Sequence, residues 1–168
     1  MKKSTKKFQT INSLNDLNSR AITKQNSNSE KIIKVLFASS IECFEKLSEI
    51  DNSYLIDVRT KPEWLFVGKP DLRVLDKQVH FVSWQKYPNM EINTNFYKQI
   101  LNYKINKDDF IFLICRSGKR SLSAALNLTK FGFLNIYNVE DGFEGDTNSK
   151  NQRSSINGWK FNNLPWTQ

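Results

Sequence analysis

Cysteine is scarce in this chain: Cys43 and Cys115 are the two among 168 residues, far apart and at no metal-ligand spacing. Histidine is scarcer still, with His80 alone. That inventory leaves too little material for a zinc site, and no motif calls for another metal or a cofactor. Long apolar runs are also missing, which argues against a membrane-spanning helix. No export signal is evident, and two unlinked thiols suit a reducing compartment, so a cytoplasmic location is expected.

Positive charge is what the chain has in excess, with a formal net charge of +8. Residues 1–31 hold seven Lys/Arg against Asp16 and Glu30 and so carry +5 of it, leaving +3 for residues 32–168. Charge gathered at one end is expected of a solvated arm rather than of a nucleic-acid surface. Residues 1–30, rich in Ser, Asn, Thr and Lys and without an apolar period, read as that flexible basic arm. Neither nucleic acid nor a membrane is expected as a partner. A single domain with a full core is expected over residues 31–168.

Within that domain strand-like and helix-like patterns alternate. Lys31–Phe37 reads as a strand. Ser39, three residues before Glu42, has capping-box spacing and opens a helix with Ile41, Phe44 and Leu47 toward the core. Cys43 borders that face and reads as a small buried hydrophobe. Tyr54–Val58 is a second strand, running into Asp57-Val58-Arg59. Thr60 and Glu63, with Pro62 between them, repeat the capping signal. Asp57, Arg59 and Glu63 are expected to support a site at this strand's end, with Asp57 holding loop amides and Arg59 paired to Glu63.

Val79–Trp84 reads as a strand in which His80 is structural. Trp84 and Met90 flank its end, in the core or at the mouth of a site. Asn93 is placed to cap a helix over residues 94–104, with Phe96, Ile100, Leu101 and Tyr103 as its apolar stripe. A later helix, with Leu122, Ala125, Leu126 and Thr129 inward, stops at Gly132, and Asn135–Val139 is the last strand. Residues 144–157 are polar and without period, and Trp159 and Trp166 suit the packing of a C-terminal segment onto the body. The alternation, with a continuously apolar run at Phe110–Cys115, implies an α/β fold. Its parallel sheet should have about five strands, with helices on both faces.

Chemistry is concentrated in FIFLICRSGKRS, residues 110–121. A buried strand delivers Cys115 to the sheet's edge, and a polar hexad curls around its sulfur before a helix starts. Cationic side chains and a helix N-terminus favour the thiolate, which is the nucleophilic form. Cys115 is the candidate catalytic residue, and Arg116, Ser117, Gly118, Lys119, Arg120 and Ser121 are the candidate substrate-binding residues. Cysteine phosphatases and arsenate reductases use a longer loop; here Arg120 follows Cys115 with four residues between. The tighter ring suits one sulfur atom better than a tetrahedral oxyanion.

The stretches LIDVRTKPEW (55–64), FIFLICRSGKRS (110–121), NVEDGFEG (138–145) and GWKFNNLPW (158–166) resemble a single rhodanese domain. The resemblance runs from about Lys31 to the C-terminus. It implies a rhodanese-like fold and sulfurtransferase activity, with Cys115 holding a persulfide cradled by Arg116 to Arg120. The implied partners are a small-molecule sulfur donor and a thiol or protein sulfur acceptor. Three cationic side chains suit an anionic donor, and relatives that use mercaptopyruvate carry a less basic loop, so thiosulfate ranks first. The alternative is a persulfide carrier or regulatory module that delivers sulfur to a partner protein. Two departures fall on the rim of the site. VGKPDLRVLDKQVHFV stands where many members have Gly-His-Ile-Pro-Gly-Ala, and residues 144–157 read as an addition before the closing tryptophan motif.

Overall fold

The structure, a computed structural model, describes residues 21–24 and 33–168. Its first half runs β1 (Ala21–Lys24), β2 (Ile33–Ala38), α1 (Ser40–Glu49), β3 (Ser53–Asp57), α2 (Lys61–Phe66), β4 (Lys69–Pro70) and β5 (Val79–Phe81). There follow β6 (Gln85–Lys86), β7 (Glu91–Ile92), α3 (Phe96–Leu101), β8 (Phe110–Ile114), α4 (Lys119–Leu128), β9 (Asn135–Val139) and β10 (Trp166–Thr167). The main sheet has the order β1-β2-β9-β8-β3-β5. Five of its strands pair in parallel, and β1 joins β2 antiparallel at one edge. That edge strand falls in the stretch expected as an arm; the remainder of residues 1–30 lies outside the described residues.

β3 and β8 are neighbours, in a register that sets Asp57 opposite Ile114. From β3 the chain moves outward to β5, and from β8 it moves the other way to β9. Their carboxyl ends therefore flank the point where the strand order reverses, the place open α/β sheets hold ligands.

The apolar run at β8 has a physical reason, since both of its faces are buried. Successive side chains alternate sides. Ile111, Leu113 and Cys115 join one cluster with Phe96 and Ile100 of α3 and Ala124, Ala125 and Leu128 of α4. Phe112 and Ile114 join the other, with Cys43 and Leu47 of α1, Phe143 and Trp159. Each fully buried Leu or Ile here contributes about 1.5–3 kcal/mol relative to an exposed one.

Helix phases differ from the expected ones in identifiable ways. The Ser39–Glu42 capping box forms, but Ile41 is 45% exposed while Cys43 and Leu47 are buried. The roll is set by Ser40, whose N–H and hydroxyl donate to the Asp141 carboxylate at 2.8 and 2.7 Å and draw residues 40, 43 and 47 inward. α3 is shorter than expected, and its cap position is Asn95 rather than Asn93. Asn93 is buried, its side-chain amide donating to the Ser83 carbonyl and its Oδ1 accepting from the Asn95 N–H. Phe96 and Ile100, four apart, face the core; Leu101 falls on the neighbouring, exposed face, and Tyr103 lies beyond the helix end. In α4 the inward face is Ser121, Ala124, Ala125 and Leu128, with Leu122 and Leu126 at its margin. Trp84 packs edge-on against Phe96 at 5.1 Å, which places it in the core.

The C-terminal segment is anchored by Trp159, fully buried against Phe44, with its indole N–H donating to the Pro165 carbonyl at 2.7 Å. Trp166 remains 40% exposed on β10, which pairs with β4. Among the described residues no helix is long and apolar enough to cross a membrane, and no cluster of three His, Cys, Asp or Glu could hold a metal.

Candidate active site

Cys115 is the first residue after β8, and the Val58 N–H donates to the preceding carbonyl of Ile114 at 2.9 Å. The backbone then turns through Arg116 and Ser117 to Gly118, which stands at φ +80° immediately before α4. The segment Glu140–Gly145 clamps this loop from outside. The Cys115 carbonyl accepts from the Phe143 N–H at 2.8 Å, and the Arg116 carbonyl accepts from Glu144 and Gly145 at 3.0 and 3.2 Å. Glycine makes the close approach possible: a Cβ on Gly118 would lie 2.1 Å from the Glu140 carbonyl oxygen, and one on Gly142 would lie 2.6 Å from the Arg116–Ser117 peptide. With these carbonyls held by the clamp, the amides of Arg116 to Arg120 donate to no acceptor among the described residues. Free amides at a turn and a helix start form a concavity suited to an anion.

A cavity of about 470 Å³ opens over the loop. Cys115, Arg116, Ser117, Lys119 and Arg120 line it from below, Thr60, Pro62 and Glu63 from the start of α2, and Tyr87 and Met90 from the β6–β7 hairpin. Cys115 is 1% exposed and lies at the floor of this cavity. Ser121, fully buried on the first turn of α4, has its hydroxyl 3.2 Å from Cys115 Sγ and 3.0 Å from the Gly118 carbonyl. A single proton serves one of the two, and a sulfur anion is the stronger acceptor.

The cations around Cys115 divide into matched and unmatched. Arg120 donates from both terminal nitrogens to Glu63, whose Oε2 also accepts from the N–H and hydroxyl of Thr60 at 2.9 and 2.7 Å. Burial opposes ionisation of Glu63, but the hydrogen bonds from Arg120 and Thr60 outweigh it and hold the carboxyl at about 2. The same contact with Glu63 raises Arg120. Arg116 and Lys119 are exposed and form no ion pair among the described residues. An anion in the cavity therefore meets the charge of Arg116 and Lys119, with that of Arg120 already neutralised.

Arg59 does not pair with Glu63 as expected; its partner is Asp57. The guanidinium Nε and Nη2 reach the Asp57 carboxylate at 3.0 and 2.6 Å, and Nη2 also donates to the Gly68 carbonyl. Arg59 precedes α2, and its side chain turns beneath the helix instead of along it, so both partners are fully buried. The guanidinium stacks on Phe143 at 4.1 Å. Because the Phe143 amide holds the Cys115 carbonyl, this buried pair braces the loop from behind.

The residues picked from sequence thus converge. Cys115, Arg116, Ser117, Lys119 and Arg120 share the cavity, Ser121 lies beneath the sulfur, and Gly118 abuts the clamp. Glu63 sits in the wall, and Asp57 and Arg59 lie behind it. Met90, flagged at the mouth, lines it. Thr60, Pro62 and Tyr87 also line it and were not picked as site residues; the capping signal marked Thr60 and Pro62 as a helix start, and the sequence Tyr87-Pro88-Asn89 reads only as a turn. His80 is half-buried, packed at a tilt against Tyr103 with ring centroids 4.2 Å apart, and outside the cavity, and burial holds its imidazole down. Cys43 is fully buried, and burial first, then the Asp141 charge, pushes its thiol up, which suits packing rather than chemistry.

Comparison with known proteins agrees with this geometry. The STR4 middle domain family matches residues 35–168. An uncharacterized Rickettsia rickettsii protein, the RP600 homolog, is 43% identical over 127 residues, covering 76% of this chain and 93% of its own length. The chloroplastic rhodanese-like domain-containing protein 4 of Arabidopsis thaliana is 25% identical over 131 residues, 77% of this chain and 25% of that protein. Among solved structures, Rv0390 from M. tuberculosis superposes with a TM-score of 0.71 at 37% identity, covering 79% of this chain and 96% of that one. The polysulfide-sulfur transferase homodimer of Wolinella succinogenes shares the fold at 22% identity and a TM-score of 0.55, covering 78% and 77%. A parallel sheet that ends in a clamped cysteine loop, and a family match over most of the chain, lead to one conclusion: the chain belongs to the rhodanese-like family, in its STR4 middle domain group.

Proposed function

We propose that the protein is a sulfurtransferase that moves a sulfane sulfur from an anionic donor, thiosulfate first, to a thiol acceptor through a persulfide on Cys115. The Cys115 thiolate attacks the outer sulfur of thiosulfate. A new S–S bond forms as the donor's own S–S bond breaks, and the electron pair leaves with sulfite. An acceptor thiolate then attacks the outer sulfur of the persulfide, breaks the second S–S bond and returns the Cys115 thiolate. One difficult transfer becomes two easier ones. In both steps the free amides of Arg116 to Arg120 and the Ser121 hydroxyl are placed to stabilise sulfur-borne charge.

The observation that supports this reading most is the position of Cys115 in the lining of one cavity, beside unclaimed amides and the unmatched cations Arg116 and Lys119. The working unit is residues 31–168 with the edge strand β1 added to its sheet, and the basic residues before β1 are an arm outside the chemistry. Both cysteines are free thiols, which fits a reducing compartment such as the cytoplasm. Mass spectrometry after exposure to thiosulfate tests the proposal. A gain of one sulfur atom on the Cys115 peptide is expected, absent in Cys115→Ser and retained in Cys43→Ser. Sulfur on Cys43 instead, or phosphoester turnover exceeding that of thiosulfate, would overturn it.

A persulfide carrier that serves a partner protein uses the same thiolate, and an exposed apolar rim beside the cavity favours a protein as acceptor. The two separate by kinetics. A free enzyme turns over thiosulfate and cyanide, whereas a dedicated carrier loads once and discharges to its partner.

A further inference from the structure

α2 is a six-residue helix with no fully buried side chain. Its last two residues, Leu65 and Phe66, are 55% and 77% exposed, and Tyr87 on the facing hairpin is 66% exposed. These three line a second cavity of about 440 Å³, which shares Pro62 and Tyr87 with the cavity over Cys115. The two therefore adjoin, with Pro62 and Tyr87 common to both linings. Lys61 and Lys86 also line the outer groove, and among the described residues no carboxylate does. Among the described residues, the one carboxylate lining either cavity is Glu63, and Arg120 matches it.

We propose that this outer groove is the docking site of a protein acceptor, one that carries its thiol in a segment with an apolar anchor beside the cysteine and acidic residues around it. The apolar anchor fits between Leu65, Phe66 and Tyr87, and the acidic residues meet Lys61 and Lys86. The cysteine then lies over Cys115. The inference rests on the sulfur-transfer reading and names its acceptor. A small thiol fits the inner cavity and leaves the groove empty, so the groove adds affinity only for an acceptor long enough to span both. Apolar anchoring in a desolvated pocket supplies most of the affinity of such contacts, and the charges supply discrimination between partners.

The probes are three acceptors for the sulfur-loaded full chain: a short peptide with Cys flanked by Leu, Phe, Asp and Glu, the same peptide with Lys in place of its acidic residues, and glutathione. Leu65→Ser/Phe66→Ser is expected to lower kcat/KM for the acidic peptide by about tenfold. It should leave loading by thiosulfate and discharge to glutathione unchanged. Lys61→Glu/Lys86→Glu should reverse the preference between the two peptides. All four positions are exposed, and circular dichroism checks that the variants fold.

A binding arm keeps the docking claim separate from the chemistry. The acidic peptide, with Ser in place of its Cys, is titrated against the Cys115→Ser chain by fluorescence anisotropy, with and without the groove substitutions. Binding lost on Leu65→Ser/Phe66→Ser upholds docking even if no persulfide forms, in which case the sulfur-transfer reading alone fails. Equal peptide discharge or binding by wild type and groove variants overturns docking. So does a dimer in sedimentation, or flotation with anionic vesicles, that Leu65→Ser/Phe66→Ser abolishes, since the groove would then be filled by a second copy or a membrane.

Discussion

Arg120 and Glu63 meet at two points, Nη1 to Oε2 at 2.8 Å and Nη2 to Oε1 at 2.6 Å, although 57 residues separate them in sequence. The pair ties the first turn of α4 to the first turn of α2 across the mouth of the cavity. It has two consequences. The loop is held at its far end from Cys115, and one of its three cations is withdrawn from any anion that enters. Paired guanidinium and carboxylate planes fix geometry as well as charge.

Stability should carry the signature of this pair in acid. Glu63 is held at about 2 against an ordinary 4.5, so its folded-state value is depressed. Its contribution is complete above about pH 4.5 and is lost as pH falls through about 2. After allowance for solvent screening of a partly exposed pair, that contribution is on the order of 1–2 kcal/mol. Urea unfolding from pH 6 to pH 2 is expected to show the loss in wild type and a flatter profile in Glu63→Gln. Equal slopes would remove Glu63 from the account.

The matched and unmatched cations should separate in kinetics. Arg116→Ala and Lys119→Ala are each expected to raise KM for thiosulfate about fivefold at low salt, with less effect at high salt, because their charge acts on the anion directly. Arg120→Ala leaves Glu63 in the wall without its partner. It is expected to lower the unfolding midpoint and kcat together, with a weaker salt dependence. Steady-state kinetics across ionic strength, with thermal unfolding, distinguish the two patterns.

The parts of this site that could be read from sequence are those fixed by local rules. Both capping boxes, Ser39 with Glu42 and Thr60 with Glu63, depend on spacing alone and formed. The apolar run before Cys115 named a strand buried on both faces, and Asp57 and Cys115 stood at strand ends. What local rules do not reach is pairing across the fold. Arg59 and Glu63 sit four apart, which invites an ion pair, but α2 begins only at Lys61, so the two share no helix face. Tyr87 and Leu65 were hidden for the same reason, since their neighbours come from separate connections. The exposure of Ile41 on α1 was missed because Ser40 and Asp141, 101 residues apart, decide the helix's roll.

Asp57 and Arg59 should matter through burial. Both are fully buried, and removing one leaves the other's charge without compensation. Arg59→Ala is expected to cost about 3–5 kcal/mol in denaturant unfolding. It also removes the stack on Phe143, so the residual folded protein should load sulfur more slowly. The paired change Asp57→Leu/Arg59→Met should recover part of the stability without the loading rate. Full recovery of both would mean that the pair does not brace the loop.

Loop shape and sulfur solvation make separate demands, and two neighbouring positions divide them. Gly118 holds φ +80° with the Glu140 carbonyl pressed against it, so Gly118→Ala meets both backbone strain and a clash with main chain. Strain of that kind costs about 1–3 kcal/mol before the clash is counted. The variant is expected to unfold earlier and to lose persulfide formation, because the clamp and the loop can no longer close together. Ser121→Ala changes no backbone angle and removes one donor to Cys115 Sγ. A hydrogen bond to a charged group contributes about 1.5–3 kcal/mol, so alkylation of Cys115 by iodoacetamide at neutral pH should slow by roughly tenfold or more while the unfolding midpoint moves little. If Gly118→Ala loads sulfur at the wild-type rate, the close backbone approach is not what shapes the site; if Ser121→Ala alkylates at the wild-type rate, its hydroxyl serves the Gly118 carbonyl instead.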